Sequence, residues 1–243
     1  MRIASYRVAF LMAAAFALLG CGRLSQTPKM DPEVLRPEAV LDFPTLYKAN
    51  CAACHGENGK NGAAISLNDA VYLVVAGEGN LREVTAKGVR GGLMPGFSKS
   101  AGGMLTEKQI DVLVHGMMQW SGPDVLAKQS PLPYRATLPG DAVRGQQAFG
   151  MFCARCHGVS GKGLAGDKSG TGKVGSIVDG SYLALISDQD LRSFVIAGKP
   201  DEGMPDWRTD GAQAMNDQQI TDIVAWLASL RSSNPGQPYP AQP

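Results

Sequence analysis

The sequence predicts an all-α protein in which two similar helical domains follow one another along the chain. Three observations predict this fold class. The motif Cys-x-x-Cys-His occurs at residues 51–55 and again at residues 153–157. Beyond each copy, matching residues recur 110 positions apart, and each half ends in a stretch with apolar residues at helical spacing. The matching pairs are Tyr72 and Tyr182, Leu81 and Leu191, Gly88 and Gly198, Met94 and Met204, and Ile110 and Ile220.

The first 20 residues have the pattern of a secretory signal peptide. Arg2 and Arg7 flank the start of an apolar run over residues 8–19, which is shorter than the roughly 20 residues that a transmembrane helix needs. The run ends in Leu-Leu-Gly-Cys, which resembles a bacterial lipobox, so lipidation is predicted at Cys21. The alternative is an ordinary cleaved signal peptide. If Cys21 is lipidated, the protein is expected to be an exported lipoprotein, anchored by lipid on the periplasmic side of a bacterial membrane.

The remaining chain divides by composition and by the repeat. Each half is predicted to begin with a helix that leads into its motif, and each is predicted to end with a helix, over 106–120 and 216–230. Thr106 and Asn216 are suited to cap these last helices. A shorter helix is predicted over 188–197, and strand signals are weak. The predicted segments are a proline-rich tether at 21–42, domains at 43–120 and 140–231, a proline-rich linker at 121–139 and a flexible tail at 232–243.

Composition excludes several classes of protein. Hydrophobic residues make up 44% of the 243 residues, so the chain is neither disordered nor membrane-embedded throughout. The formal net charge is +1, which offers no broad basic field for nucleic acid. Aromatic residues are only 7%, a small supply for two cores built from protein alone. The chain has three His and five Cys, and most of them lie in the two motifs.

Three chemistries compete for a Cys-x-x-Cys-His motif. A redox dithiol is typical of a βαβ setting, which the sequence lacks. A zinc site could use four thiolates, but the two pairs stand 102 residues apart and each is followed by a His. Covalent haem attachment accounts for every residue of the motif, because thiols at i and i+3 share one side of a helical turn and the adjacent His can bind iron.

The residues that carry this chemistry resemble those of the class I cytochromes c, in tandem, as in the dihaem cytochrome c4 group. The resemblance covers about 70% of the chain. It implies two covalently bound haem c groups, one held by Cys51 and Cys54 with His55 on the iron, and the other by Cys153 and Cys156 with His157 on the iron. It also accounts for the few aromatic residues, because the macrocycle fills each core.

The sixth iron ligand is predicted from position in the repeat. Met94 and Met204 each precede a matching isoleucine by sixteen residues, in a glycine-rich loop where this family places its distal Met. The alternative is that either Met is an apolar side chain packed in the core. Met104 competes with Met94, although it aligns with Ala214. The third histidine, His115, is predicted to be a surface or packing residue.

The family crosses its first and last helices at a contact between a glycine and an aromatic residue. In the second half Gly145 and Trp226 fit this contact. In the first half the aligned positions hold Phe43 and Gly116, so the large and small partners are exchanged, which conserves volume. We predict that Phe43 contacts Gly116 and that Gly145 contacts Trp226.

An electron carrier is the function that the resemblance implies. Single electrons would pass between membrane-associated redox partners, such as an oxidase, reductase, dehydrogenase or reaction centre, through two His/Met-ligated haems. No bond chemistry, catalytic residue, nucleic acid or small-molecule substrate is expected. The alternative is a dihaem enzyme, peroxidase-like or sulfur-oxidising, with one open iron. A third possibility is a cytochrome subunit of a larger oxidoreductase complex.

Overall fold

The computed structural model describes residues 35–122, 125–126, 130–166, 173–208 and 214–232. The predicted signal peptide, Cys21, most of the tether and nearly all of the tail therefore lie outside the described residues. The chain divides into two units, Met1–Ala39 and Val40–Pro243. In the first unit, the described residues include one short 3-10 helix, Pro37–Ala39. Both motif-bearing halves lie in the second unit.

The first half is helical, as predicted. Its α-helices are α1 (Phe43–Asn50), α2 (Ala52–His55), α3 (Ala70–Lys87) and α4 (Glu107–Met118). Asp42 caps α1 by accepting a hydrogen bond from the amide of Thr45. Thr106 and Gln109 form a capping box at the start of α4, so the predicted cap is confirmed, although the helix ends two residues before the predicted Trp120.

The second half repeats this arrangement. Its α-helices are α5 (Ala142–Phe152), α6 (Ala154–His157), α7 (Gly180–Leu185), α8 (Asp188–Ala197) and α9 (Asp217–Ser229). Asn216 and Gln219 form the capping box of α9, which confirms the predicted cap. Helix α8 has the bounds that the sequence predicts. Within the described residues, extended pairing is limited to isolated bridges, and the all-α fold class is confirmed.

A break in α3 makes the repeat more regular than the helix bounds suggest. Gly77 has φ 64° and ψ 162° inside α3, so two helical segments meet there. Its counterpart in the second half is Ser187, which separates α7 from α8 and caps α8. The first half therefore has two helical segments here, as the second half has α7 and α8, and glycine is the residue that readily adopts the left-handed φ of the bend.

The helix crossings confirm the predicted exchange of partners. A Cβ built on Gly116 would lie 2.2 Å from Cδ2 of Phe43. A Cβ built on Gly145 would lie 1.9 Å from the carbonyl oxygen of Asp222 and 2.9 Å from Cβ of Trp226. Each crossing therefore has room for one large side chain only, supplied by the first helix in one half and by the last helix in the other.

Gly145→Ala is expected to destabilise the protein by about 3 kcal/mol or more, at or above the upper end of ordinary overpacking. The new methyl group would meet a backbone carbonyl, which cannot move aside like a side chain. Gly150→Ala is the matched control, since it lies on the same helix with nothing within 4 Å of the added Cβ. It should stabilise the protein by roughly 0.5–1 kcal/mol. Denaturant unfolding of both holoproteins measures the difference, and equal effects would contradict the packing.

A buried carboxylate braces α5 against α9. Asp222 is 3% exposed and accepts hydrogen bonds from the Asp141 amide at 2.7 Å, from Nε of Arg144 at 2.8 Å and from Nε2 of Gln218 at 2.9 Å. Burial favours the protonated acid, but these donors outweigh it and hold the pKa of Asp222 below its ordinary value. The first half has Val112 at the matching position, so it has no such network there.

Asp222 should make the free energy of unfolding depend on pH in the acid range. Because its pKa is lowered on folding, its contribution is complete above the unfolded value of about 3.9 and is lost as pH falls through the folded value. Asp222→Asn should lower the free energy of unfolding near neutral pH and flatten its decline below pH 4. Urea unfolding measured across this range tests the prediction, with the exposed Asp201→Asn as control. An unchanged acid dependence in Asp222→Asn would contradict it.

Among the described residues, no helix has the length and apolar character needed to cross a bilayer.

Candidate haem sites

Each Cys-x-x-Cys-His motif forms one tight helical turn. Cys51 ends α1, and its carbonyl oxygen accepts hydrogen bonds from the amides of Cys54 at 3.2 Å and His55 at 3.0 Å. The second copy repeats this with Cys153 as acceptor, at 3.1 Å from the Cys156 amide and 3.0 Å from the His157 amide. One turn therefore brings the three predicted haem-binding residues of each half together on one side of the backbone.

The thiols of the two motifs differ in exposure within each pair. The first cysteine of each motif is the more buried, and burial raises the pKa of Cys51 to about 12 and that of Cys153 to about 11. All four cysteines are free. The raised pKa values of Cys51 and Cys153 are unlike the lowered pKa values of the activated thiolates in redox Cys-x-x-Cys motifs.

His55 is oriented by a backbone carbonyl. It is 7% exposed, and its Nδ1 lies 2.8 Å from the carbonyl oxygen of Ile65. A carbonyl can only accept, so Nδ1 carries the proton and Nε2 keeps its lone pair. Burial lowers the pKa of His55, which keeps the imidazole neutral. A neutral imidazole with its second nitrogen anchored in this way is the form that binds a metal.

His157 lacks the corresponding anchor among the described residues. Its Nδ1 is buried with no hydrogen-bond partner there. Burial also lowers the pKa of His157, so this imidazole is neutral too. His157 as a whole is half-buried, so the shielded Nδ1 is the nitrogen that a carbonyl anchors in His55.

The two Met-Pro turns are held by equivalent glycines. Gly88 and Gly198 end α3 and α8 with φ 77° and 71°. A Cβ on Gly88 would lie 2.7 Å from the carbonyl oxygen of Met94, and a Cβ on Gly198 would lie 2.5 Å from that of Met204. Only glycine fits both the left-handed backbone and this close approach, so the helix end fixes the position of each predicted axial Met.

The competing candidates for iron ligation lie at the surface. Met104 is 84% exposed, whereas Met94 and Met204 are half-buried. His115 is exposed on α4, with its Nε2 3.5 Å from the side-chain amide of Gln119. This placement favours Met94 over Met104 and agrees with a surface role for His115.

Comparison with known families decides between these chemistries. Residues 142–231 match the family model described as cytochrome c. Residues 38–115 match the model described as cytochrome C oxidase, cbb3-type, subunit III. Each match includes one complete Cys-x-x-Cys-His motif. The chain belongs to the class I cytochromes c. Two such domains imply two covalently bound haem c groups.

Curated relatives of this cytochrome are oxidase subunits. The cbb3-type cytochrome c oxidase subunit FixP of Sinorhizobium medicae is 31% identical over 138 residues, which are 53% of this chain and 42% of the relative. FixPc of Rhizobium leguminosarum bv. viciae is 28% identical over 208 residues, 81% of this chain and 62% of the relative. The cytochrome spans about half the length of the curated relatives it matches.

A solved structure, the Kuenenia stuttgartiensis reducing HAO-like protein complex, overlaps with this cytochrome at a TM-score of 0.45. The sequence identity is 18%, and the overlap covers 83% of this chain and 99% of that chain. A likeness of this size bears on neither mechanism nor partners.

The donor set fits haem c in both halves of the cytochrome. Two free thiols and a neutral imidazole are the groups that attach haem c and bind its iron, and a half-buried Met is suited to be a second iron ligand. In the second half, Nδ1 of His157 is a buried polar atom that has no hydrogen-bond partner among the described residues. Sequence reasoning missed the residues that position these groups, namely Gly88, Gly198 and the carbonyl of Ile65. The sequence does contain a signal for the two glycines, because Gly88 and Gly198 occupy matching positions in the repeat.

Proposed function

We propose that this cytochrome carries single electrons between membrane-associated redox partners, with both haem irons bound by His and Met. The observation that carries the proposal is the pair of equivalent Met-Pro turns, each packed on a helix-ending glycine, at Gly88 and Gly198. Bound haem c supplies one-electron chemistry at iron, without a bond being made or broken in a substrate.

The residues of the chain have separate tasks in this proposal. Cys51 and Cys54 would tether one haem, and His55 and Met94 would bind its iron. In the second half Cys153 and Cys156 would tether the other haem, and His157 and Met204 would bind its iron. An iron that is closed on both sides has no position for oxygen species or substrate, and a thioether ligand raises its reduction potential.

The alternative is an enzyme with one open iron. It would need either Met94 or Met204 to be displaced from the metal. The two turns share a backbone contact, since the carbonyl oxygen of Met94 accepts from the Val89 amide at 3.0 Å and that of Met204 accepts from the Lys199 amide at 2.9 Å, and both methionines are half-buried. This favours a carrier with two closed haems.

An optical redox titration of the purified holoprotein tests the proposal, with carbon monoxide added to the reduced form. Two low-spin haems that do not bind carbon monoxide are the expected result. A high-spin haem, or one that binds carbon monoxide, would overturn His/Met ligation in that half and favour the enzyme. Peroxide and sulfur compounds would then be the substrates to test.

For the partner, we propose a membrane oxidase, because the curated relatives are named as cbb3-type oxidase subunits. The protein would face the periplasm and be held at the membrane by lipid on Cys21. Cys21→Ser should release the holoprotein into the soluble fraction with both haems intact. Copurification with an oxidase distinguishes a bound subunit from a free shuttle, and a Cys21→Ser protein that stays in the membrane would contradict the lipid anchor.

A further inference from the structure

The matching arginines of the two halves are used differently. Arg82 on α3 pairs with Glu107 at 2.7 Å and with Asp111, and its side chain is 37% exposed. Arg192 on α8 occupies the same position in the repeat, but its side chain is 3% exposed. It pairs with Asp217, the counterpart of Glu107, and donates to Oγ1 of Thr221 at 3.1 Å.

Arg192 has donors left over because Thr221 replaces the second acid. These donors bind the chain between the two halves. Nη2 of Arg192 lies 2.7 Å from the carbonyl oxygen of Pro133, and Nε lies 3.1 Å from that of Tyr134. Nε2 of Gln189, one turn earlier on α8, also donates to the Tyr134 carbonyl at 2.9 Å. A planar guanidinium with five fixed donors suits this set of acceptors, and an ammonium does not.

The same short segment also reaches the first half. The Tyr134 side chain is 7% exposed, and its hydroxyl interacts with Tyr72, which is 6% exposed on α3, and with Ser193 of α8. Arg135 pairs with Glu83 of α3 at 3.0 Å. That ion pair is largely exposed and contributes little, so the buried tyrosine pair is the stronger attachment.

The two halves also touch directly beside the segment. A Cβ built on Gly92 would lie 2.7 Å from Oδ2 of Asp190, so the loop that carries Met94 approaches the first turn of α8 closely. Asp190 is itself fixed, since it accepts hydrogen bonds from the amide and hydroxyl of Ser187. The attachment by residues 133–135 therefore lies next to the loop of a predicted iron ligand.

We infer that residues 133–135 form a strap that locks the two haem-binding halves into one electron-transfer unit, and that Arg192 is the positioning residue that fastens it. The hydrogen bonds and ion pair of Arg192 go to the strap, to Asp217 and to Thr221, and none of these is a predicted haem-site residue. It acts through the backbone of the strap, whose tyrosine then holds α3. The inference rests on the proposed function, because the lock matters for electron transfer between the two haems.

Arg192→Lys in the full holoprotein tests the strap, and Arg82→Lys is the matched control from the first half. Lysine keeps the charge opposite Asp217 but cannot also hold both strap carbonyls. Tryptic cleavage after Arg135, which is exposed, should accelerate roughly tenfold or more, the effect of losing one charge-assisted hydrogen bond. Electron transfer between the haems after photoreduction should slow, while both reduction potentials stay unchanged. Arg82→Lys should alter none of these.

Parent-like cleavage and parent-like electron transfer in Arg192→Lys would overturn the inference. If that variant does not fold, Tyr134→Phe decides, since it removes only the hydroxyl that interacts with Tyr72 of α3 and Ser193 of α8. Tyr182→Phe is the control. Failure of the proposed function looks different. There the parent itself would bind carbon monoxide or show no electron transfer between haems, and tryptic cleavage would still report on the strap.

Discussion

Replacing Cys51 and Cys54 together by alanine is expected to give a protein with one haem instead of two. The two thiols lie on one helical turn with His55, and no other described cysteine of the first half can form a thioether. The macrocycle is predicted to fill that core, so its loss removes the apolar contacts around which the helices pack. We expect the first half to lose much of its helical structure and the second half to keep its haem.

Mass spectrometry and a pyridine haemochrome assay per protein measure the haem count, and circular dichroism measures the helical loss. Cys153→Ala with Cys156→Ala is the reciprocal variant and should retain only the first haem. Cys21→Ser is the control, since the fifth cysteine is predicted to carry lipid and not haem, and it should retain both haems. Two haems in either double variant would contradict the assignment of the thioether cysteines.

Met94→Ala is expected to open the first iron without removing its haem. Carbon monoxide should then bind to the reduced protein, and the Met–iron absorption of the oxidised protein should fall by half. The reduction potential of that haem should drop by a substantial part of the roughly 0.8 V over which axial ligands tune haem proteins. The thioether is the ligand that favours the reduced iron, so its removal has a large effect.

Met104→Ala is the matched control for this variant. Both methionines lie in the glycine-rich stretch between α3 and α4, but Met104 is 84% exposed and Met94 is half-buried on the Gly88 turn. Spectra, potentials and inertness to carbon monoxide should be unchanged in Met104→Ala. If instead Met104→Ala opened the iron and Met94→Ala did not, the alignment of the two halves would have assigned the wrong methionine.

Local patterns in the sequence predicted much of this protein. The spacing of apolar residues located α4, α8 and α9 to within two residues, and the caps Thr106 and Asn216 are local chemistry between neighbours. Comparing the halves residue by residue predicted the exchanged crossings of Phe43 with Gly116 and Gly145 with Trp226. That prediction succeeded because a tight crossing conserves the sum of two volumes, which can be read from residue types alone.

Other features depend on which distant residues meet. The sequence shows that Arg82 and Arg192 match, and nothing in it shows that one is exposed while the other is buried against the carbonyls of Pro133 and Tyr134. A proline-rich composition predicts a linker, and it does not predict that the linker is fastened to both halves. Backbone carbonyls have no sequence signature, so the contact of His55 with Ile65 was equally hidden.

By itself, the sequence determined the tandem helical fold, the two haem-binding motifs and the family, because these reside in short-range spacing and in a repeat. Only the tertiary structure decided how the predicted ligands are held and how the halves are joined. Gly88 and Gly198 seat the Met-Pro turns, Asp222 braces α5 on α9, and Arg192 fastens the strap. These are long-range contacts made in buried surroundings, where each donor must find an acceptor and the choice depends on the whole packed chain.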